Sequence, residues 1–184
     1  MKTQKAFTLI EIIVALAVAA ILAIVALPNM RYMLLSNQIT SKTNQFIAAI
    51  NYIRTETLTR NNTIQISPLD DSDDNNEWGT GWQIWVDMDN NGLVEPNSDI
   101  VKIFDFADDQ IVIDQILEDS EDDYADTPII SYRARGRVQD PYKFVVCHKD
   151  YPEAKEVTII RVGRAGVKRC SLDGGDHPCE SSCN

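Results

Sequence analysis

The sequence predicts an α+β protein in which one long N-terminal helix packs on an antiparallel β-sheet domain. Residues 7–27 form an apolar run that contains one charge, Glu11, and neither glycine nor proline. From there to about residue 60, apolar side chains recur at helical spacing, and beyond it the pattern changes to short alternating runs between polar loops. The 184-residue chain is long enough for one domain with its own core beside that helix.

The apolar run predicts that the first half of the helix is transmembrane. At helical rise it would extend roughly 30 Å, the thickness of the hydrocarbon core of a bilayer. Lys2 and Lys5 precede it and Pro28 follows it, whereas a secretory signal peptide has a shorter apolar core. An ionisable group inside such a segment is costly. Glu11 therefore either has a specific partner or lies at the membrane interface, where its carboxylate reaches water.

The stretch KAFTLIEIIVALAVAAILAIVALP resembles the type III signal of type IV pilins and pseudopilins. The resemblance implies that prepilin peptidase cuts between Ala6 and Phe7 and then methylates the new amino terminus at Phe7. Ala6 departs from the family pattern, which usually has Gly before the cut, but Ala is small enough to be tolerated. Pro28 falls where pilins carry a helix-kinking proline. Glu11 matches the family glutamate that meets the free amino terminus of a neighbouring subunit, so it would set the axial register in the filament.

These features divide the chain into five expected segments. Residues 1–6 are the cleaved leader, 7–28 the hydrophobic transmembrane and assembly helix, and 29–60 its amphipathic continuation. Residues 61–170 are expected to form the β-sheet globular domain, and 171–184 a cysteine-containing C-terminal tail.

The second half of the helix carries one apolar stripe that is expected to pack on the sheet domain. Its members are Ile39, Phe46, Ile47, Ile50, Ile53 and Leu58. Asn61 and Asn62 are expected to end the helix. Strands are predicted near residues 64–66, 81–87, 100–106, 110–116, 129–135, 142–148, 156–162 and 166–170.

Three further stretches are similar to the GspH/FimT class of minor pilins and pseudopilins: YIRTETLTRNNTIQIS, WGTGWQIWVDMDNNG and EVTIIRVGRAGVKR. The resemblance implies the pilin fold and a structural or assembly-priming subunit of a type IV pilus or a type II secretion pseudopilus. It also implies a single-pass protein of the bacterial inner membrane with a periplasmic globular domain. Other pilins or pseudopilins and prepilin peptidase would be its partners. The sequence has no nucleophile elbow, phosphate loop or metal triad, so neither catalysis nor a cofactor is expected.

The cysteines of the chain all lie in its last quarter, at Cys147, Cys170, Cys179 and Cys183. An exported domain meets an oxidising periplasm, so disulfides are expected, and three pairings are open. The pairing Cys147–Cys170 with Cys179–Cys183 is favoured here. Zinc held by these cysteines with His148 and His177 is the alternative, but no C-x2-C pair is present.

A weak candidate metal site begins at Asp87. Asp87, Asp89 and Asn91 place oxygen ligands at alternate positions before Gly92, as in the first part of a calcium loop. Ser98 stands where an EF-hand has its glutamate, and Asn-Gly is equally typical of a hairpin turn. The turn is the favoured interpretation, so no metal is assigned.

Charge is unevenly distributed along this acidic chain, which has a net charge of -11. Residues 69–126 hold 19 acidic residues and one basic residue, whereas residues 133–169 hold 10 basic and 4 acidic residues. In the FimT branch a GR-x-R motif is associated with DNA uptake, and Gly163-Arg164 matches its first two positions while Gly166 breaks the fourth. DNA is therefore the alternative partner, with Arg161, Arg164, Lys168 and Arg169 as candidate contacts. A solvated face that pairs with acidic loops is the competing interpretation.

Overall fold

The computed structural model describes residues 7–69, 78–88, 100–106, 110–116, 129–174 and residue 179. By its internal contacts the chain divides into two units, Met1–Asn37 and Gln38–Asn184. The first unit holds the start of helix α1 (Leu9–Arg60), and the second holds the rest of that helix and every strand of the described residues.

Both ends of α1 have a local cause. The Glu11 backbone N–H donates to Thr8 Oγ1 at 3.3 Å, so Thr8 caps the helix, and Thr-x-x-Glu is the sequence of a capping box. The helix is continuous through position 28 and ends at Arg60. Asn61 follows with φ of 51°, a left-handed conformation that asparagine tolerates and that stops a helix.

Among the described residues, no helix meets the length and hydropathy of a membrane-crossing segment.

The inner face of α1 within the second unit is built from residues three, four and seven apart. Ile39, Phe46, Ile50 and Ile53 are fully buried. The stripe then continues to Thr57, whose hydroxyl donates to the Ile53 carbonyl at 2.8 Å. The prediction for Leu58 is wrong, because this side chain is 54% exposed. One residue past Thr57 is a rotation of about 100°, which takes the side chain out of the apolar face.

Nine strands form two antiparallel sheets in the described part of the chain. The first sheet has the order β3-β2-β1-β5-β6 and the second has the order β4-β7-β8-β9. The strands are β1 (Ile64–Pro68), β2 (Gly81–Val86), β3 (Ile100–Asp105), β4 (Ile111–Ile116), β5 (Ile130–Arg133), β6 (Arg137–Val138), β7 (Tyr142–His148), β8 (Glu153–Ile159) and β9 (Ala165–Ser171). A long helix packed on antiparallel sheets confirms the predicted fold class.

The main core lies where the helix and both sheets meet. Phe46 from α1 contacts Trp78, Trp82 and Phe144 edge to face, with ring centroids 5.0–5.7 Å apart. Such pairs bury large apolar areas and fix the rings relative to one another. One aromatic side chain of the helix therefore joins the two sheets.

Two strands depart from the sequence-based expectation. The two-residue strand β6 was not expected, because two residues give no periodic signal. Strand β8 begins at Glu153 and ends at Ile159, three residues earlier at both ends than expected. Its first residues alternate charged side chains with Ala154, which is buried in a second, smaller cluster on the outer face of the second sheet. Alanine carries too little hydrophobic signal for that alternation to be recognised.

Candidate assembly surface and anion-binding groove

The first half of α1 carries a long run of exposed apolar side chains. Every side chain from 7 to 24 is exposed, including Phe7 and Leu9 at 77% and Ile24 at 74%. Monomeric soluble proteins rarely leave such a continuous apolar surface open, so it marks a contact with protein or lipid. Glu11 is the single charge on this surface, and its side chain is exposed as well.

Glu11 lies in the first turn of α1, a local structural position that the sequence reasoning missed. Residue 11 is the third position of the helix, and a carboxylate there reinforces the cap and interacts favourably with the helix dipole. Thr-x-x-Glu before an apolar run was the available signal. The capping role requires a side-chain oxygen, whereas the predicted register role requires the negative charge. Glutamine keeps the oxygen of a capping box and lacks the charge.

The structure does not bring the four candidate DNA contacts onto one surface. Lys168 and Arg169 are neighbours on β9, so they lie on opposite faces of the sheet. Lys168 pairs with the buried Glu156 carboxylate at 3.0 Å. Arg169 lies opposite Lys155, whose pKa is lowered by burial and secondarily by Arg169.

The remaining two candidates lie in the β8–β9 turn. Arg161 is exposed and lines a groove, while Arg164 is exposed at the end of the same turn and does not line it. DNA binding by these residues therefore stays a prediction, and of the four only Arg161 lines the groove.

Arg161 instead joins three arginines that the sequence reasoning did not single out. A groove of about 560 Å³ lies between the β5–β6 hairpin and the β8–β9 turn. We call it the arginine groove, and its lining residues are Arg133, Ala134, Arg135, Arg137, Val138, Gln139 and Arg161. The sequence signal was the R-A-R-G-R repeat at 133–137, which places three arginines around one tight turn.

Close contacts hold the two sides of the arginine groove together. The Val138 N–H donates to the Arg161 carbonyl at 3.3 Å, and the Tyr132 hydroxyl donates to the Gly163 carbonyl at 3.3 Å. Gly163 has φ of +73°, and a Cβ there would lie 2.1 Å from the Gly136 carbonyl oxygen. Only glycine allows this approach, so the glycine of the Gly163-Arg164 pair has a packing role.

The favoured disulfide pairing is wrong. Cys170 is bonded to Cys179, with Cα atoms 5.0 Å apart, and Cys147 is disulfide-bonded as well. Strand β8 lies between β7, which carries Cys147, and β9, which carries Cys170. Strands β7 and β9 are therefore separated by two spacings of about 4.8 Å each, and their sum exceeds the Cα separation that a disulfide can span. Because Cys147, Cys170 and Cys179 are all oxidised, they offer no thiolate to zinc.

The other candidate metal ligands that the structure describes, Asp87 and His148, make structural hydrogen bonds. Asp87 is buried and its Oδ2 accepts from Gln65 Nε2 at 2.7 Å, while Asp89, Asn91 and His177 lie outside the described residues. His148 is buried, and its Nδ1 accepts from the Asp150 N–H at 3.0 Å, so it stabilises a turn. Within the described ranges, no cluster of three or more potential ligands occurs.

Comparison with known proteins agrees with this architecture. The family described as Type II transport protein GspH matches residues 42–165, and the prokaryotic N-terminal methylation motif matches residues 1–27. Two crystal forms of the type IV minor pilin FimU from Pseudomonas aeruginosa PAO1 are similar structures. The first is 19% identical in sequence, has a TM-score of 0.53, and covers 72% of this chain and 90% of the FimU chain. The second is 18% identical, has a TM-score of 0.51, and covers 70% of this chain and 91% of the FimU chain. No curated protein matches the chain significantly.

The helix, the two sheets and the N-terminal motif define the class of type IV pilin-like proteins. Within that class the chain belongs to the GspH family of minor pilins and pseudopilins. The family is structural rather than enzymatic, and its members assemble with other pilins or pseudopilins.

Proposed function

We propose that this chain is a structural, non-catalytic subunit of a type IV pilus or a type II secretion pseudopilus. Prepilin peptidase cuts between Ala6 and Phe7 and methylates Phe7. The helix then holds the subunit in the bacterial inner membrane, with the sheet domain in the periplasm, until the subunit enters the filament. The observation that carries this proposal is the exposed apolar surface of residues 7–24, interrupted by the single carboxylate of Glu11.

Glu11 supplies the register in this proposal. When the apolar surfaces of neighbouring helices pack together, the carboxylate leaves water, and an unpaired charge there costs several kcal/mol. The methylated amino terminus of a neighbouring Phe7 removes that penalty at one axial offset. Pro28 is the second proposed assembly residue, as the position at which the helix of each subunit adapts to its neighbours.

A pair of substitutions separates register from capping. Glu11→Gln retains the Thr-x-x-Gln capping box but removes the charge, whereas Glu11→Ala removes both. We expect both variants to be cleaved normally and to enter sheared filaments at least tenfold less than wild type. Thr8→Ala removes the cap alone and is expected to stay within twofold of wild type.

The measurement is the ratio of this subunit to the major subunit in sheared filaments, alongside the cleaved fraction in membranes. Incorporation of Glu11→Gln at the wild-type level would leave capping as the only role of Glu11. A chain that keeps residues 1–6 in cells would contradict the processing step, which the mass of the amino-terminal peptide measures.

DNA binding in natural transformation is the second candidate function. It is favoured by the exposure of Arg161 and Arg164 in one turn, where they can contact phosphates. We expect Arg161→Gln with Arg164→Gln to reduce retardation of a DNA duplex in a gel shift at low salt. Retardation that equals wild type, together with normal transformation in a deletion strain that expresses the variant, would remove this candidate.

A further inference from the structure

We propose that the arginine groove binds a carboxylate-rich segment of a neighbouring subunit. This inference rests on the proposed function, because it requires that the chain assembles with other subunits. It assigns a docking role to Arg133, Arg135, Arg137 and Arg161, whose side chains line one depression at the meeting point of the two sheets.

The arginine groove is locally unfavourable in two independent ways. Arg133 and Arg137 are directly opposite each other across β5 and β6, and like charges at such a cross-strand pair destabilise a hairpin. Arg135 adopts φ of 78°, a left-handed conformation that costs a residue with a side chain about 1 kcal/mol or more. A carboxylate bound between Arg133 and Arg137 would remove the first of these costs.

Within the part of the chain that the structure describes, these guanidinium groups are neutralised only weakly. Arg161 is 4.0 Å from the Asp140 carboxylate, and both side chains are mostly exposed, so this pair contributes little. Arg133 donates to the neutral Gln139 amide oxygen. Of the carboxylates in the described residues, none lies within ion-pair distance of Arg135 or Arg137. The guanidinium groups of Arg135 and Arg137 can therefore bind carboxylates in a bidentate manner. Those of Arg133 and Arg161 can join them by giving up a weak contact.

A protein segment fits the arginine groove better than nucleic acid does. Its non-arginine lining residues are Ala134, Val138 and Gln139, so no aromatic side chain among them can stack on a base. The net charge of the chain is -11, and its repulsion is weaker for a short acidic segment than for a long polyanion, because the repulsion grows with the charge of the partner. Residues 69–126 of this chain, with 19 acidic residues and one basic residue, show that subunits of this kind carry such segments.

The probe for the experiment is a fluorescein-labelled peptide with the sequence of residues 117–126, LEDSEDDYAD. Its control is the uncharged analogue LQNSQNNYAN. Fluorescence anisotropy measures binding to the full-length chain in detergent micelles at two salt concentrations. We expect saturable binding of the acidic peptide that weakens with salt, and no binding of the analogue.

Two double variants remove the same net charge from different places. Arg133→Gln with Arg137→Gln alters the groove, whereas Arg164→Gln with Arg169→Gln alters exposed arginines outside it. We expect the groove variant to bind the acidic peptide at least tenfold more weakly and the outside variant to stay within twofold of wild type. Equal losses in the two variants would mean non-specific charge attraction and would overturn the proposal.

Arg135→Gly is a second groove variant, and it is not expected to destabilise the fold. Glycine adopts the observed φ without strain, so this substitution removes a charge while relieving the backbone. We expect about threefold weaker peptide binding with an unchanged or higher unfolding midpoint. Unchanged peptide binding in this variant and in the groove double variant would overturn the proposal.

A fluorescein-labelled DNA duplex is measured in parallel. If the groove variants lose DNA binding while the acidic peptide does not bind wild type, the site is one for nucleic acid and the proposal fails. A failure of this kind would leave the Glu11 experiment untouched, because incorporation of Glu11→Gln depends on the helix and not on the groove.

Discussion

Replacing Gly163 by alanine tests how the two sheets are joined. Gly163 has φ of +73°, where alanine costs about 1 kcal/mol relative to glycine. Its new Cβ would lie 2.1 Å from the Gly136 carbonyl oxygen and 2.8 Å from Tyr132 Cε1. Real contacts of this kind do not occur, so the β8–β9 turn must move away from the β5–β6 hairpin by roughly 1 Å.

That movement breaks or weakens the two hydrogen bonds across the junction. These are the bond from Val138 N–H to the Arg161 carbonyl and the bond from the Tyr132 hydroxyl to the Gly163 carbonyl, and each contributes about 1 kcal/mol. Adding the backbone strain, we expect Gly163→Ala to lower the free energy of unfolding by about 3 kcal/mol. The groove should lose its peptide binding as well, because Arg161 moves with the turn.

Gly174 provides a matched control. It has φ of +77°, and a Cβ there would meet nothing within 4 Å, so Gly174→Ala carries the strain without the collision. We expect a loss of only about 1 kcal/mol for this control. Denaturant unfolding of the full chain in detergent, followed by the fluorescence of the buried Trp78, Trp82 and Trp85, measures both. Equal losses in the two variants would refute the reasoning from close approach.

Two further predictions concern the core and its response to pH. Phe46→Ala should lower the free energy of unfolding by about 3–5 kcal/mol because Phe46 joins both sheets. Leu58→Ala should lower it by less than about 1 kcal/mol, because Leu58 is half-exposed. Denaturant unfolding of the two variants measures both values. Burial raises the pKa of Tyr132 and of Tyr142 above the ordinary value of 10.0. The unfolded chain therefore releases these protons first, so stability should fall as the pH rises above about 10. Tyr132→Phe should lose less stability between pH 8 and pH 11 than wild type, and an identical loss would contradict the assignment.

The sequence by itself was sufficient where one segment determines its own structure. The apolar run with Glu11, the helical spacing of Ile39, Phe46, Ile50 and Ile53, and the alternation in most strands all depend on neighbours a few residues apart. Local periodicity decides which face of a helix or strand is apolar, so the fold class could be predicted. Local capping sequences were equally readable, although the Thr8–Glu11 cap was missed.

Only the tertiary structure decided which distant segments are neighbours. The position of β8 between β7 and β9 excludes a Cys147–Cys170 bond, and the arginine groove follows from the contact of two turns at Gly136 and Gly163. Strand order and the approach of two turns are set by packing of the whole core, which no spacing along the chain encodes. For the same reason only Arg161 of the four candidate DNA contacts lines the arginine groove, although all four are close together in sequence.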